Sequence, residues 1–122
     1  MLTADMTLLF VTNPMKSMDF YSDLFQAECK EAWPTFCQLT LPGGFKLGLW
    51  SKYTAEPLPF PAQGSAGELF ITANSKQEVD DTFLAWGNKR ITFIQKPVSL
   101  DFGYTFTALD PDGHRLRVCF LS

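Results

Sequence analysis

Leu41-Pro42-Gly43-Gly44-Phe45-Lys46-Leu47 returns in altered form as Asp110-Pro111-Asp112-Gly113-His114-Arg115-Leu116. Each stretch is a Pro/Gly turn set between two apolar runs, which is how a β-hairpin is written. Two such turns, one in each half of the chain, predict an internal repeat.

Upstream of each turn the correspondence continues. Met6–Thr12 (MTLLFVT) is apolar, rich in β-formers, and reads as a strand. Asn13 then supplies a helix N-cap and Pro14 a proline at the first helical position. Met18, Tyr21, Leu24 and Phe25 recur at helical spacing. In the second half Glu68–Asn74 (ELFITAN) reads as a strand, Ser75 caps the next helix, and Glu78 completes a capping box. Val79, Phe83 and Trp86 form that helix's apolar stripe, and Gly87 is its expected stop.

Three strands are expected after each helix, over 28–32, 35–41 and 45–51, then over 92–96, 105–109 and 114–121. The plan is βαβββ twice, an α+β class with a mixed sheet in each module. One face of each sheet takes the helix and the other opens as a cup. Module one spans about 1–52, a linker about 53–66 and module two about 67–122, together a single domain over 1–122. Pro57, Pro59 and Pro61, with Gly64 and Gly67, stiffen the connection and keep it out of a sheet.

The composition bounds the function. At 122 residues, 46% hydrophobic and 19% charged, the chain buries a proper core without room for two large ones. A net charge of -3 with scattered Lys and Arg argues against nucleic acid or an anionic membrane as partner. No apolar run approaches bilayer length, and Met1–Asp5 has no secretory pattern. Cys29, Cys37 and Cys119 are odd in number and lack CxxC spacing, so buried or half-buried free thiols and a cytoplasmic location are expected. Twelve Phe, three Trp and three Tyr are many for this length, and some are expected to line a pocket.

Met18-Asp19-Phe20-Tyr21-Ser22-Asp23-Leu24-Phe25 resembles a helix of the glyoxalase/bleomycin-resistance/extradiol dioxygenase (vicinal oxygen chelate) superfamily. Asp110-Pro111-Asp112-Gly113-His114 resembles its characteristic turn, and the paired βαβββ plan runs the whole chain. Phe106–Cys119 (FTALDPDGHRLRVC) and Leu47-Gly48-Leu49-Trp50-Ser51 look like the C-terminal hairpin and fourth strand of its phenazine antibiotic-resistance type. The resemblance implies a paired-module glyoxalase-like fold, and a homodimer that holds a drug-like aromatic molecule by binding rather than turnover.

The resemblance also implies where metal-dependent members place their ligands, at positions held here by Met6, Gly48, Glu68 and Arg117. Of these only Glu68 binds a hard cation, whereas such sites need about three protein ligands. No metal and no cofactor are expected. His114, the one histidine, sits in a turn beside Asp112 and serves local hydrogen bonding. A Ser/His/Asp or Cys/His arrangement would have to use it, and no GxSxG or phosphate loop is present.

Strand alternation assigns the cup face. Met6, Leu8, Phe10, Lys46, Gly48, Trp50, Glu68, Phe70, Thr72, Arg115, Arg117 and Cys119 point into it, with aliphatic residues between them under the helices. Trp50 is the first ligand contact, since an indole stacked on a planar ring gains about 0.5–1.5 kcal/mol beyond burial. The competing reading is a core or interface tryptophan. Gly48 opens room beside it, or else marks a strand bulge. Phe10 and Phe70 line the cup, and Trp33, Phe60, Phe102 and Tyr104 stand near its rim, with Gly103 letting the Phe102 loop flex.

Arg117 and Glu68 either pair across the module interface or Arg117 takes a ligand carboxylate. The cost of a buried unpaired Glu68 favours the pair. The expected function is binding and sequestration of a small planar aromatic molecule such as a phenazine-like antibiotic. The alternative is a divergent metal-independent lyase or isomerase with Glu68 as base, and a third is a dimer with a filled cup.

Overall fold

A computed structural model of the chain describes residues 1–59 and 67–122. The chain divides into two compact units, Met1–Pro61 and Ala62–Ser122.

In the first unit β1 (Met6–Val11) leads into α1 (Pro14–Phe25), followed by β2 (Glu28–Ala32), β3 (Phe36–Thr40) and β4 (Lys46–Ser51). The Asn13 side chain accepts a hydrogen bond from the Lys16 N–H at 3.2 Å, so the expected cap closes the first turn. Gln26 ends the helix in the left-handed region at φ 53°. The sheet order is β1-β4-β3-β2, with β1 parallel to β4 and the other pairs antiparallel. Val11, Tyr21, Cys37, Leu39, Leu47 and Leu49 are fully buried between helix and sheet.

The second unit repeats the plan with β5 (Glu68–Thr72), α2 (Lys76–Asn88), β6 (Thr92–Leu100), β7 (Gly103–Leu109) and β8 (Arg115–Leu121). Its order is β5-β8-β7-β6, again with one parallel pair, β5 against β8. The repeat read from the two turns is therefore present as two mixed four-stranded sheets with one helix each.

Four local expectations are corrected. Gly87 lies inside α2, which ends at Asn88 with the turn made by Lys89 and Arg90, the latter at φ 63°. Glu78 reaches back to the N–H of Asn74 at 2.7 Å rather than to that of Ser75, while Ser75 accepts from the Glu78 N–H as expected. β6 runs to Leu100, well past Lys96, because Pro97 sits in an edge strand beside register shifts, where a missing N–H is tolerated. The connection expected from residue 53 packs at its start, for Ala55 is fully buried and its N–H bonds to the Ser51 carbonyl at 3.0 Å.

The aromatic surplus is largely structural in the second unit. Phe83 and Trp86 of α2 meet Phe93 and Phe106 of the sheet, with centroids 4.4–5.6 Å apart and Trp86 edge-on to Phe106. Such edge-to-face pairs add to area burial. Phe83 and Trp86 thus form the helix stripe the sequence predicts, and Phe93 and Phe106 join them in the helix–sheet core.

Candidate functional site

On the first unit the face away from α1 is built by register. Met6 lies opposite Lys46, Leu8 opposite Gly48, and Phe10 opposite Trp50, with Phe36 beyond Trp50 and Gln38 beyond Gly48. Met6, Leu8 and Phe10 are 38–42% exposed, while Val11 at the end of β1 and Leu47 and Leu49 on β4 are fully buried. Phe10 and Trp50 form a tilted ring pair with centroids 6.3 Å apart. Gly48 does not leave an opening. A Cβ there would strike the Leu8 side chain and come within 2.9 Å of the Met6 sulfur and 3.3 Å of the Phe36 ring. Neighbouring side chains have closed over the glycine.

On the second unit the face away from α2 is polar. Glu68 lies opposite Arg115, Phe70 opposite Arg117 and Thr72 opposite Cys119, with Thr107 beyond Arg117 and Thr105 beyond Cys119. Arg117 grips Glu68 with two parallel hydrogen bonds, Nε to Oε1 at 2.7 Å and Nη2 to Oε2 at 3.0 Å. Its Nη1 donates to Gln95 Oε1 at 3.1 Å and Thr105 Oγ1 at 3.3 Å, and Gln95 also accepts from Thr107. Arg115 Nη2 reaches Glu68 Oε2 at 2.6 Å. The Glu68–Arg117 pair therefore lies between neighbouring strands of one sheet, not across the two modules as the sequence suggested. The hydrogen bonds from Arg117 hold the Glu68 carboxyl below its ordinary range, against a smaller opposing effect of burial.

The remaining residues divide. Phe70 is 45% exposed beside Arg117 in the register. Phe102, in the β6–β7 turn, places its ring centroid 5.8 Å from the Arg117 guanidinium. Trp33, between β2 and β3, is 60% exposed. Tyr104 is not at a rim: alternation along β7 turns it to the helix side, where its hydroxyl donates to Asp80 of α2 at 2.7 Å. Gly103 is buried at the start of β7, where an added Cβ would strike the Phe120 carbonyl oxygen, so it permits close backbone approach rather than a flexing loop. Phe60 lies outside the described residues. Cys29 is exposed, contrary to expectation, and Cys37 and Cys119 are buried.

The side chains at the expected metal positions are poor ligands. Gly48 offers no donor, Met6 only a thioether, Arg117 a cation, and both Glu68 oxygens are engaged by guanidinium groups. Among the described residues no three His, Cys, Asp or Glu side chains lie together. These positions do not fit a divalent metal.

The model of the Glyoxalase/Bleomycin resistance protein/Dioxygenase superfamily matches residues 3–118. The chain belongs to this superfamily. A relative within reach of that match is the phenazine antibiotic resistance protein EhpR of Enterobacter agglomerans, 30% identical over 121 residues, 97% of this chain and 92% of the relative. The solution structure of protein ATC0852 from Agrobacterium tumefaciens superposes with a TM-score of 0.90 at 43% identity, covering 100% of this chain and 99% of that one. A superfamily enzyme from Burkholderia phytofirmans PsJN shares the fold at a TM-score of 0.81, with 20% identity over 97% of this chain and 98% of that one. Among the described residues no helix is long and apolar enough to cross a membrane.

Proposed function

We propose that this chain binds and sequesters a small planar aromatic molecule of the phenazine kind, as a cytoplasmic homodimer and without turning it over. The observation that carries the reading is the open apolar face of the first unit. Met6, Leu8 and Phe10 are each more than a third exposed there, and Trp50 stands beside Phe10. Exposed apolar surface of this kind marks an interaction site, and a tilted pair of rings suits a flat partner. The identity to a phenazine resistance protein over almost the full chain supports the ligand class.

The state of Glu68 disfavours the alternative lyase or isomerase. A general base works best with a pKa near the working pH. Arg117 pulls that of Glu68 the other way.

Titrating the protein with phenazine while following tryptophan emission, with native mass spectrometry in parallel, tests the reading. Saturable quenching, a dimer mass and chromatographic recovery of unaltered ligand are expected. Trp50→Ala should weaken binding about tenfold, the loss of one good stacking contact. A chemically altered ligand, or binding indifferent to Trp50, would overturn it.

A further inference from the structure

We infer that the open face of the second unit selects aromatic ligands that carry a carboxylate, docking that group on Arg115. The inference rests on the proposed binding of planar aromatic molecules and concerns the second unit by itself, with Phe70 and Phe102 as its ring contacts.

The charges on this face do not cancel. Glu68 supplies one carboxylate against two guanidinium groups, and its bidentate contacts go to Arg117. Arg117 spends its remaining end on Gln95 and Thr105. Arg115 is left as the surplus cation. Among the described residues Glu68 is the one acceptor it meets, through Nη2 alone. Its Nε is shielded from solvent and has no partner, yet the side chain as a whole is 39% exposed.

Buried donors in folded proteins are nearly always paired. A guanidinium presents five donors in a fixed fork that suits a carboxylate edge-on. Nε is shut off from solvent and Nη2 already meets Glu68, so an acceptor brought in from outside meets the guanidinium at its exposed end rather than at Nε. The surplus is a single positive charge, which matches a monoanion better than a phosphate dianion. Flat apolar surface adjoins it, because Phe70 is exposed one same-face position along and the Phe102 ring flanks Arg117. The chain as a whole carries -3, so its general field does not attract anions. A preference for an acid has to come from this cluster.

The experiment is calorimetric titration near neutral pH with phenazine-1-carboxylate, phenazine-1-carboxamide and unsubstituted phenazine. The carboxylate is expected to bind about tenfold tighter than the carboxamide, as one charge-assisted contact allows. Arg115→Gln should bring that ratio close to one. Arg115→Lys, which keeps the charge and loses the fork, should retain part of it. Lys16→Gln, a charge removed from α1, should leave the ratio as it is. Equal affinities in the unaltered protein overturn the inference while leaving ring binding in place. So does a ratio that survives Arg115→Gln. If none of the three phenazines binds, the proposed function falls and this inference with it.

Discussion

Glu68 and Arg117 show how much one residue's neighbours decide. Each guanidinium hydrogen bond favours the ionised carboxylate, and the folded-state pKa of Glu68 drops below its ordinary value of 4.5. Stabilisation from this group is therefore complete above that value and is lost as pH falls through the lower folded pKa. Glu68→Gln should cost about 1–3 kcal/mol at neutral pH, since it leaves the largely buried Arg117 without its counter-charge. Urea unfolding at several pH values should show the two proteins converging in acid; parallel curves would contradict it. The sequence leaves open whether Arg117 takes Glu68 or a ligand carboxylate, and favours the pair because a buried unpaired carboxylate is costly. The setting of the pair was not legible. A strand read alone does not name its neighbour, and only the β5–β8 pairing places Glu68 and Arg117 in one sheet. Strand alternation with Arg117, two residues on, already puts Arg115 on the cup face, but nothing in the sequence says that it meets Glu68.

At the scale of elements, caps and turns were the most legible features because they are written in a few adjacent residues. Asn13 with Pro14, and Ser75 with Glu78, set both helix starts. What local reading missed depended on partners far along the chain. Pro97 looked like the end of β6 until its edge position was known, and Tyr104 looked like a rim residue until β7 was seen to begin at Gly103. Two buried glycines separate these effects. At Gly48 an added methyl meets the ends of the Leu8 and Met6 side chains, which can swing aside. At Gly103 it meets the backbone of Phe120 and comes within 3.0 Å of Leu121 Cα, held by the β7–β8 ladder. Gly48→Ala is expected to cost about 1 kcal/mol and Gly103→Ala about 3 kcal/mol, in the range for overpacking. Thermal unfolding of both variants checks the order, and a reversal would show that the Leu8–Met6 cover is rigid.

Across the whole molecule one plan carries two chemistries: an apolar face on the first unit, an ion-paired face on the second. The duplication was legible from two turns and the composition of each face from strand alternation, while which residues stand opposite one another came only with the register. Thiol chemistry offers a check on burial throughout the chain. Cys29 is exposed, whereas Cys37 and Cys119 are buried, and burial pushes the Cys37 thiol up. A thiol reagent should modify one cysteine per native chain and all three in denaturant; rapid native labelling of Cys37 would mean the first core opens readily. The parallel pairs have a consequence for how the protein is made. β1 bonds to β4 alone, across α1, β2 and β3, whereas β3 and β4 are joined by a short turn. Closing a long loop costs more entropy than closing a short one, so hairpins have the advantage in time. On the ribosome Met6, Leu8 and Phe10 are made before β4, so the nascent chain carries this apolar row without a sheet partner at least until Trp50 has been added.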